Sequence, residues 1–190
     1  DWSSDVCSSD LVNAKSFLLK GFTTVRDAGG ITYGLKKGID EGLVDGPRIY
    51  PSNAFLTQTC GHADFRTSKS EFRLVDRVYA SGAAMTGEAY YADGVAEVLR
   101  GVRENFFLGA SQIKIMAGGG VMSLSDPIDT IQFTEEEMKA AVDAAADYGT
   151  YVLAHLYTPG AIKRAARAGV RSFEHCQLMD EECAKILAAQ

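Results

Sequence analysis

The sequence has 190 residues, 46% of them hydrophobic and 23% charged, with a formal charge of -6 at pH 7 and a pI near 5.1. That is enough chain for one domain with its own core, and the balance is that of an ordinary globular protein. No Lys/Arg cluster offers a nucleic-acid footprint and no apolar run approaches the roughly 20 residues of a membrane span, so neither nucleic acid nor membrane is expected as a partner.

Asp1 to Leu11 is a Ser/Asp repeat without an apolar period. It resembles the translation of a sequencing adapter, so residues 1–11 are read as a non-native leader and residues 12–190 as the folded unit. Val12 to Lys20 predicts a short helix that stops at Gly21. Phe22 to Arg26 is β-branched and aromatic and predicts a strand, followed by the loop Asp27-Ala28-Gly29-Gly30. Ile31 to Glu41 predicts a helix ending at Gly42, and Pro47 to Pro51 a second strand with prolines at its ends. Residues 57 to 91 are the least regular part, with one amphipathic piece from Ser70 to Tyr79. A long insertion of this kind usually carries function or covers a site.

Ala92 to Leu108 predicts a helix, with Val95, Val98, Leu99 and Val102 at core spacing. The strand Gln112 to Met116 runs into Ala117-Gly118-Gly119-Gly120. Thr134 to Glu137 reads as a capping box that opens the next helix. The strand Tyr151 to His155 follows, then a helix from Pro159 to Ala168 closed by Gly169. The strand Val170 to His175 and a helix from Asp180 to Ala189 complete the chain. A helix followed by five strand–helix units, with no hairpin signal, predicts a parallel α/β architecture. A doubly wound sheet fits this pattern too. A partial (β/α)8 barrel is preferred because the candidate residues lie at C-terminal strand ends, where barrel active sites sit.

Those candidates are Lys114, His155 and His175; the chain has three histidines, and two of them end strands. Alternation turns Ile113 and Ile115 toward covering helices and Lys114 to the other face with Gln112 and Met116. His155 shares its face with Tyr151 and Leu153, and Tyr157 joins them if the extended path continues. In the third strand Glu174 is expected on the outer face with Ser172. Neutral imidazoles suit zinc and similar divalent ions. A lysine becomes a ligand when carbon dioxide adds to its neutral amine, and burial favours that form. Alternatively, each histidine alone is a structural residue, Lys114 a loop charge, and Gly118 to Gly120 an anion-binding nest. Cys7, Cys60, Cys176 and Cys183 show no CxxC spacing and read as free thiols of a reducing, cytoplasmic location, a periplasmic or secreted one being the alternative.

Five stretches together resemble the amidohydrolase superfamily, in the branch of imidazolonepropionase-like enzymes and Xaa-Pro dipeptidases (prolidases). They are Gly21 to Asp27, Gly46 to Ile49, Gln58 to Asp64, Ile113 to Val121, and His155 to Pro159 with Glu174-His175. The resemblance implies a metal-dependent barrel hydrolase with two divalent ions, usually zinc. It places Lys114 at the carboxylated, bridging lysine and His155 and His175 at the histidines of the second metal. His62 falls in a Gly-His-Gly-Asp-like loop and Tyr157 in a His-Ala-Tyr-Thr-like motif, both expected to bind the α-carboxylate of the substrate. Ala63 and Leu156 stand where the branch commonly has glycine and alanine, and Cys60 where it has a small residue. The family's His-x-His pair and its strand-eight general-base aspartate have no counterpart in this sequence. The chain is therefore expected to be an internal piece, about strands two to six of a barrel of about 250 residues. Alone it is expected to be unstable, inactive and a poor metal binder.

The expected activity of the parent is hydrolysis of C–N bonds in a small-molecule or dipeptide substrate, foremost an Xaa-Pro dipeptide. Cyclic-amide hydrolysis of the imidazolonepropionase type is the alternative among enzymes. A non-catalytic anion-binding module is the alternative of another class, and a homo-oligomeric parent is left open beside a monomeric one.

Overall fold

The computed structural model describes residues 2–66, 86–122 and 125–190, with side chains from Asp10 onward. The amphipathic piece expected at Ser70 to Tyr79 lies outside the described residues. In chain order the elements are α1 (Trp2–Leu19), β1 (Thr24–Arg26), α2 (Tyr33–Asp40), β2 (Arg48–Tyr50), β3 (Phe55–Thr57), β4 (Ala89–Tyr91) and α3 (Val95–Phe107). There follow β5 (Ile113–Met116), α4 (Glu135–Asp147), β6 (Val152–Leu156), α5 (Pro159–Ala168), β7 (Ser172–His175) and α6 (Glu181–Ala188). None of these helices is long and apolar enough to cross a membrane. Cys60, Cys176 and Cys183 are free thiols.

Among the described residues every strand pairing is parallel: β1 pairs with β2, and a five-stranded sheet runs β4-β3-β5-β6-β7. The two sheets form one wall. β2 and β3 are successive stretches of chain separated by a kink at Asn53, whose φ is +56°. The Asn53 amide, 5% exposed, holds the kink by donating to the carbonyls of Asn105 and Leu108, each at 3.2 Å. Across the break, Ser111 N–H donates to the Pro51 carbonyl at 2.7 Å. Gln112 Nε2 donates to the carbonyls of Tyr50 and Asp27 at 2.9 and 3.1 Å. The wall curls until its first and last strands meet: Arg26 at the end of β1 donates to Ser172 Oγ (3.0 Å) and Glu174 Oε1 (2.7 Å) on β7. A flat doubly wound sheet would hold these strands far apart; barrel curvature brings them together.

The two faces of the wall differ chemically. Ile113, Ile115, Val152, Ala154 and Leu156 are at most 1% exposed and pack against Val98, Val102, Met138, Ala141 and Ile162 of the helices. Full burial of each such aliphatic side chain stabilises the fold by about 1.5–3 kcal/mol. The other face carries Gln112, Lys114, His155, Ser172 and Glu174.

Three sequence expectations need correction. β3 and β4 are additional strands whose place is set by distant partners: Leu56 pairs with both Tyr90 and Ile115. Glu174 and Ser172 lie on the inner face, in register with His155 and Leu153. Finally, α1 begins at Trp2 rather than at Val12.

The helix ends follow the sequence signals closely. In α4, Thr134 Oγ1 accepts from Glu137 N–H at 3.3 Å while Glu137 Oε2 accepts from Thr134 N–H at 2.7 Å. Thr134→Ala is expected to cost about 1 kcal/mol of stability, read as a lower urea midpoint at unchanged slope. An unchanged midpoint would show the box to be idle.

Candidate metal and substrate site

Three parallel strands deliver the site. Lys114 sits in β5, His155 one residue before the end of β6, and His175 at the end of β7. Register puts Met116 beside His155 and Leu156 beside His175, so the histidines come to the same end of neighbouring strands. Simple alternation would point His175 away from the inner face, because Glu174 already occupies it. The backbone resolves this: His175 and Cys176 adopt φ of +75° and +59°. Two successive left-handed residues end the strand and turn the His175 ring back to 4.7 Å from the His155 ring, at 75°. Such a conformation costs non-glycine residues roughly 1–2 kcal/mol each, and here it aims the His175 ring at that of His155.

All the residues singled out in the sequence converge. The His62 ring lies flat on His155, with centroids 3.9 Å apart and planes 5° from parallel. Tyr157 meets His155 edge-on at 5.1 Å and stacks on His175 at 5.2 Å. His155 is 4% exposed and its pKa is pushed down to about 3, mainly by burial and then by the neighbouring His62. His175 is shifted in the same direction by partial burial and by the Lys114 cation. Both rings are therefore neutral at physiological pH. His155 Nε2 lies 3.1 Å from the Gly119 carbonyl, a contact that requires a proton on Nε2 and leaves the lone pair on Nδ1.

Lys114 is 3% exposed, and its amine pKa falls from 10.5 to about 8. Burial is the main cause; Glu174 and Asp27 oppose it, and Arg26 adds to it. Arg26 and Glu174 form a charged pair on the inner face that the sequence signals did not single out as part of the site. Their order along the chain, each at a strand end, was the available signal.

The described parts of the loop from Ala117 to Phe133 lie against the His62 and His155 rings. The loop is pinned by an isolated antiparallel bridge between Gly118 and Ile131. Gly119 N–H donates to the Thr130 carbonyl (3.0 Å) and Gly120 N–H to that of Asp126 (3.3 Å). The anion nest considered for Gly118 to Gly120 thus lacks two of its donors. The glycines serve close approach instead: a Cβ on Gly120 would lie 2.1 Å from His62 Cε1, and one on Gly119 would lie 1.9 Å from the Pro127 carbonyl oxygen. His62 itself is held by its main chain, N–H to Gln132 Oε1 (2.7 Å) and carbonyl from Thr57 Oγ1 (2.6 Å). Its Nδ1 lies 2.9 Å from Asp126 Oδ2. Asp126 and Gln132 carry no motif and no period, and sequence reasoning missed both.

The donor chemistry fits a divalent ion. Two neutral imidazoles meet at adjacent strand ends, and a buried amine that deprotonates near pH 8 lies within electrostatic range of both. Among the described residues no group of three or more His, Cys, Asp or Glu side chains is placed to hold a metal.

The family model described as the Amidohydrolase family matches residues 11–189. The chain is 39% identical over 174 residues to ochratoxinase of Aspergillus niger, covering 87% of this chain and 35% of that protein. A crystal structure of a prolidase complexed with N-methylphosphonate-L-proline superposes with a TM-score of 0.87 at 45% identity, covering 94% of this chain and 43% of that one. A Xaa-Pro dipeptidase crystallised with methionine in its active site superposes with a TM-score of 0.73 at 36% identity, covering 89% and 40%. The chain thus spans about a third to two fifths of the length of these relatives.

Proposed function

Since this chain belongs to the amidohydrolase family, we propose that it supplies the lysine and second-metal half of a divalent-metal centre in a C–N bond hydrolase whose substrate carries a free carboxylate, foremost an Xaa-Pro dipeptide. The observation that carries this reading is the meeting of the neutral His155 and His175 rings at neighbouring strand ends, with His62 and Tyr157 packed against them. The relatives named above include a prolidase and a Xaa-Pro dipeptidase, which favours the dipeptide.

In this reading Lys114, as a carbamate, together with His155 and His175 would hold the divalent ions, with zinc as the candidate metal. A divalent ion held by these residues would supply Lewis acidity toward a carbonyl oxygen and would lower the pKa of a bound water. The chain's own residues prepare the ground. The Gly119 carbonyl keeps the His155 proton on Nε2 and the ligating lone pair on Nδ1. Burial holds Lys114 where its amine is partly neutral, the form that reacts with carbon dioxide. His62 and Tyr157, on two sides of the His155 ring, bind the substrate carboxylate and orient the scissile bond.

The test is hydrolysis of glycyl-L-proline against glycyl-L-prolinamide by the intact protein that carries this chain. Loss of a charge-assisted contact predicts a kcat/KM lower by about 10- to 100-fold for the amide. Equal rates would remove the carboxylate reading. Turnover of lactams alone would favour the cyclic-amide reading, and phosphate binding without metal dependence the anion-binding one.

A further inference from the structure

Asp126 lies in the loop between β5 and α4, and its side chain is fully buried. Its Oδ2 faces His62 Nδ1 at 2.9 Å, while its Oδ1 is buried without a hydrogen-bond partner among the described residues. A desolvated carboxylate normally gathers several donors, because burying one with few partners is costly. Here one imidazole is its side-chain partner, and the protein keeps it in that state. Several further contacts hold His62 in place. Gly120 lies so close to the ring that a Cβ there would clash with it, His155 stacks on it, and Gln132 and Thr57 hold the main chain. Asp126 is the one group of this set that distinguishes the two ring nitrogens.

We propose that Asp126 is a positioning residue for His62, which accepts the Nδ1 proton and so commits Nε2 to the substrate side of the ring. Its functional consequence rests on the carboxylate-binding reading of His62 given above. The carboxylate can hold an Nδ1–H whether the ring is neutral or protonated, and in both states Nε2 is the nitrogen presented to the ligand. Without Asp126 the ring can take the other tautomer or flip about its Cβ–Cγ bond. Its contact with substrate is then lost even though the stacking remains.

The experiment is a long-range proton–nitrogen correlation spectrum of the imidazoles in the intact protein that carries this chain, labelled with 15N-histidine. The His62 signals are identified by their loss in His62→Gln, and spectra are recorded at alkaline pH. Wild type is expected to show the His62 proton on Nδ1. Asp126→Leu is expected to lose that pattern, with His155 keeping its own. Asp126→Asn, whose amide oxygen can still accept, is expected to restore it. A wild-type His62 protonated on Nε2 overturns the assignment without any variant having to fold, as does an unchanged pattern in a folded Asp126→Leu protein. Addition of glycyl-L-proline separates the two ideas. A ligand that leaves the His62 signals unmoved removes the carboxylate reading, whereas the tautomer result stands or falls by itself.

Discussion

Lys114→Met is expected to make the metal-free protein more stable and to abolish metal capture beside His155 and His175. The amine pKa of about 8 in the fold, against 10.5 for a free lysine, is the mark of a cation held in a poor environment. At about 1.4 kcal/mol per unit, that difference corresponds to a penalty of about 3 kcal/mol at neutral pH, as an upper value. Methionine fills similar volume without a charge, although Glu174 then loses a favourable neighbour. The pH dependence gives the test its sign. Below pH 8 the lysine is charged in both folded and unfolded chains, so wild type carries the whole penalty. Between pH 8 and 10.5 the folded chain has released a proton that the unfolded chain retains, and wild type gains stability as pH rises. The advantage of Lys114→Met in urea unfolding should therefore be largest at neutral pH and shrink through that window. A constant difference, or a less stable variant, would sink the idea. That the position holds lysine against this penalty is the pattern of a functional group kept at the expense of stability.

Acid is expected to unfold the metal-free protein through His155. Its pKa of about 3 lies below the ordinary 6.5, so the unfolded chain binds a proton that the folded one refuses. Stability due to this group is fully present above pH 6.5 and is lost as pH falls toward 3, by about 5 kcal/mol at most. Divalent ion binding to the same ring would oppose the loss by mass action. His155→Gln keeps an amide donor for the Gly119 carbonyl and has nothing to titrate. The difference in stability between wild type and His155→Gln should then change with pH between 6.5 and 3 and be flat above 7. The comparison is needed because Glu174 and Asp64, whose pKa values are lowered in the fold, also lose stabilising charge in acid. A wild-type profile parallel to that of the variant would show that His155 is not the acid-sensitive group.

Much of this was legible in the chain itself. Residues 22–26, 47–51, 112–116, 151–155 and 170–175 announce strands by local composition, and the helices between them announce their ends through Thr134, Pro159, Gly169 and Asp180. These signals are local, since a cap or an apolar run depends on neighbours a few residues away. Lys114, His155 and His175 could be found because strand ends can be read from sequence and their residue types are chemically distinctive. The short β3 and β4 were not legible, for their stability comes from partners some thirty to sixty residues distant rather than from their own pattern.

The finer geometry of the site belongs to tertiary structure alone. Alternation placed Glu174 outside and His175 inside; register with β6 puts Glu174 inside, and two left-handed residues swing His175 back to join it. Arg26 and Glu174 are 148 residues apart and meet because the wall curls. Asp126 has no sequence signature, since a loop aspartate becomes a partner for His62 when the chain around Gly120 leaves just enough room for the ring. Sequence determined which groups stand at the ends of which strands, because secondary structure is written in near neighbours. Which way those groups point, and which distant residue holds each of them, depended on burial and curvature, which exist only once the strands have come together.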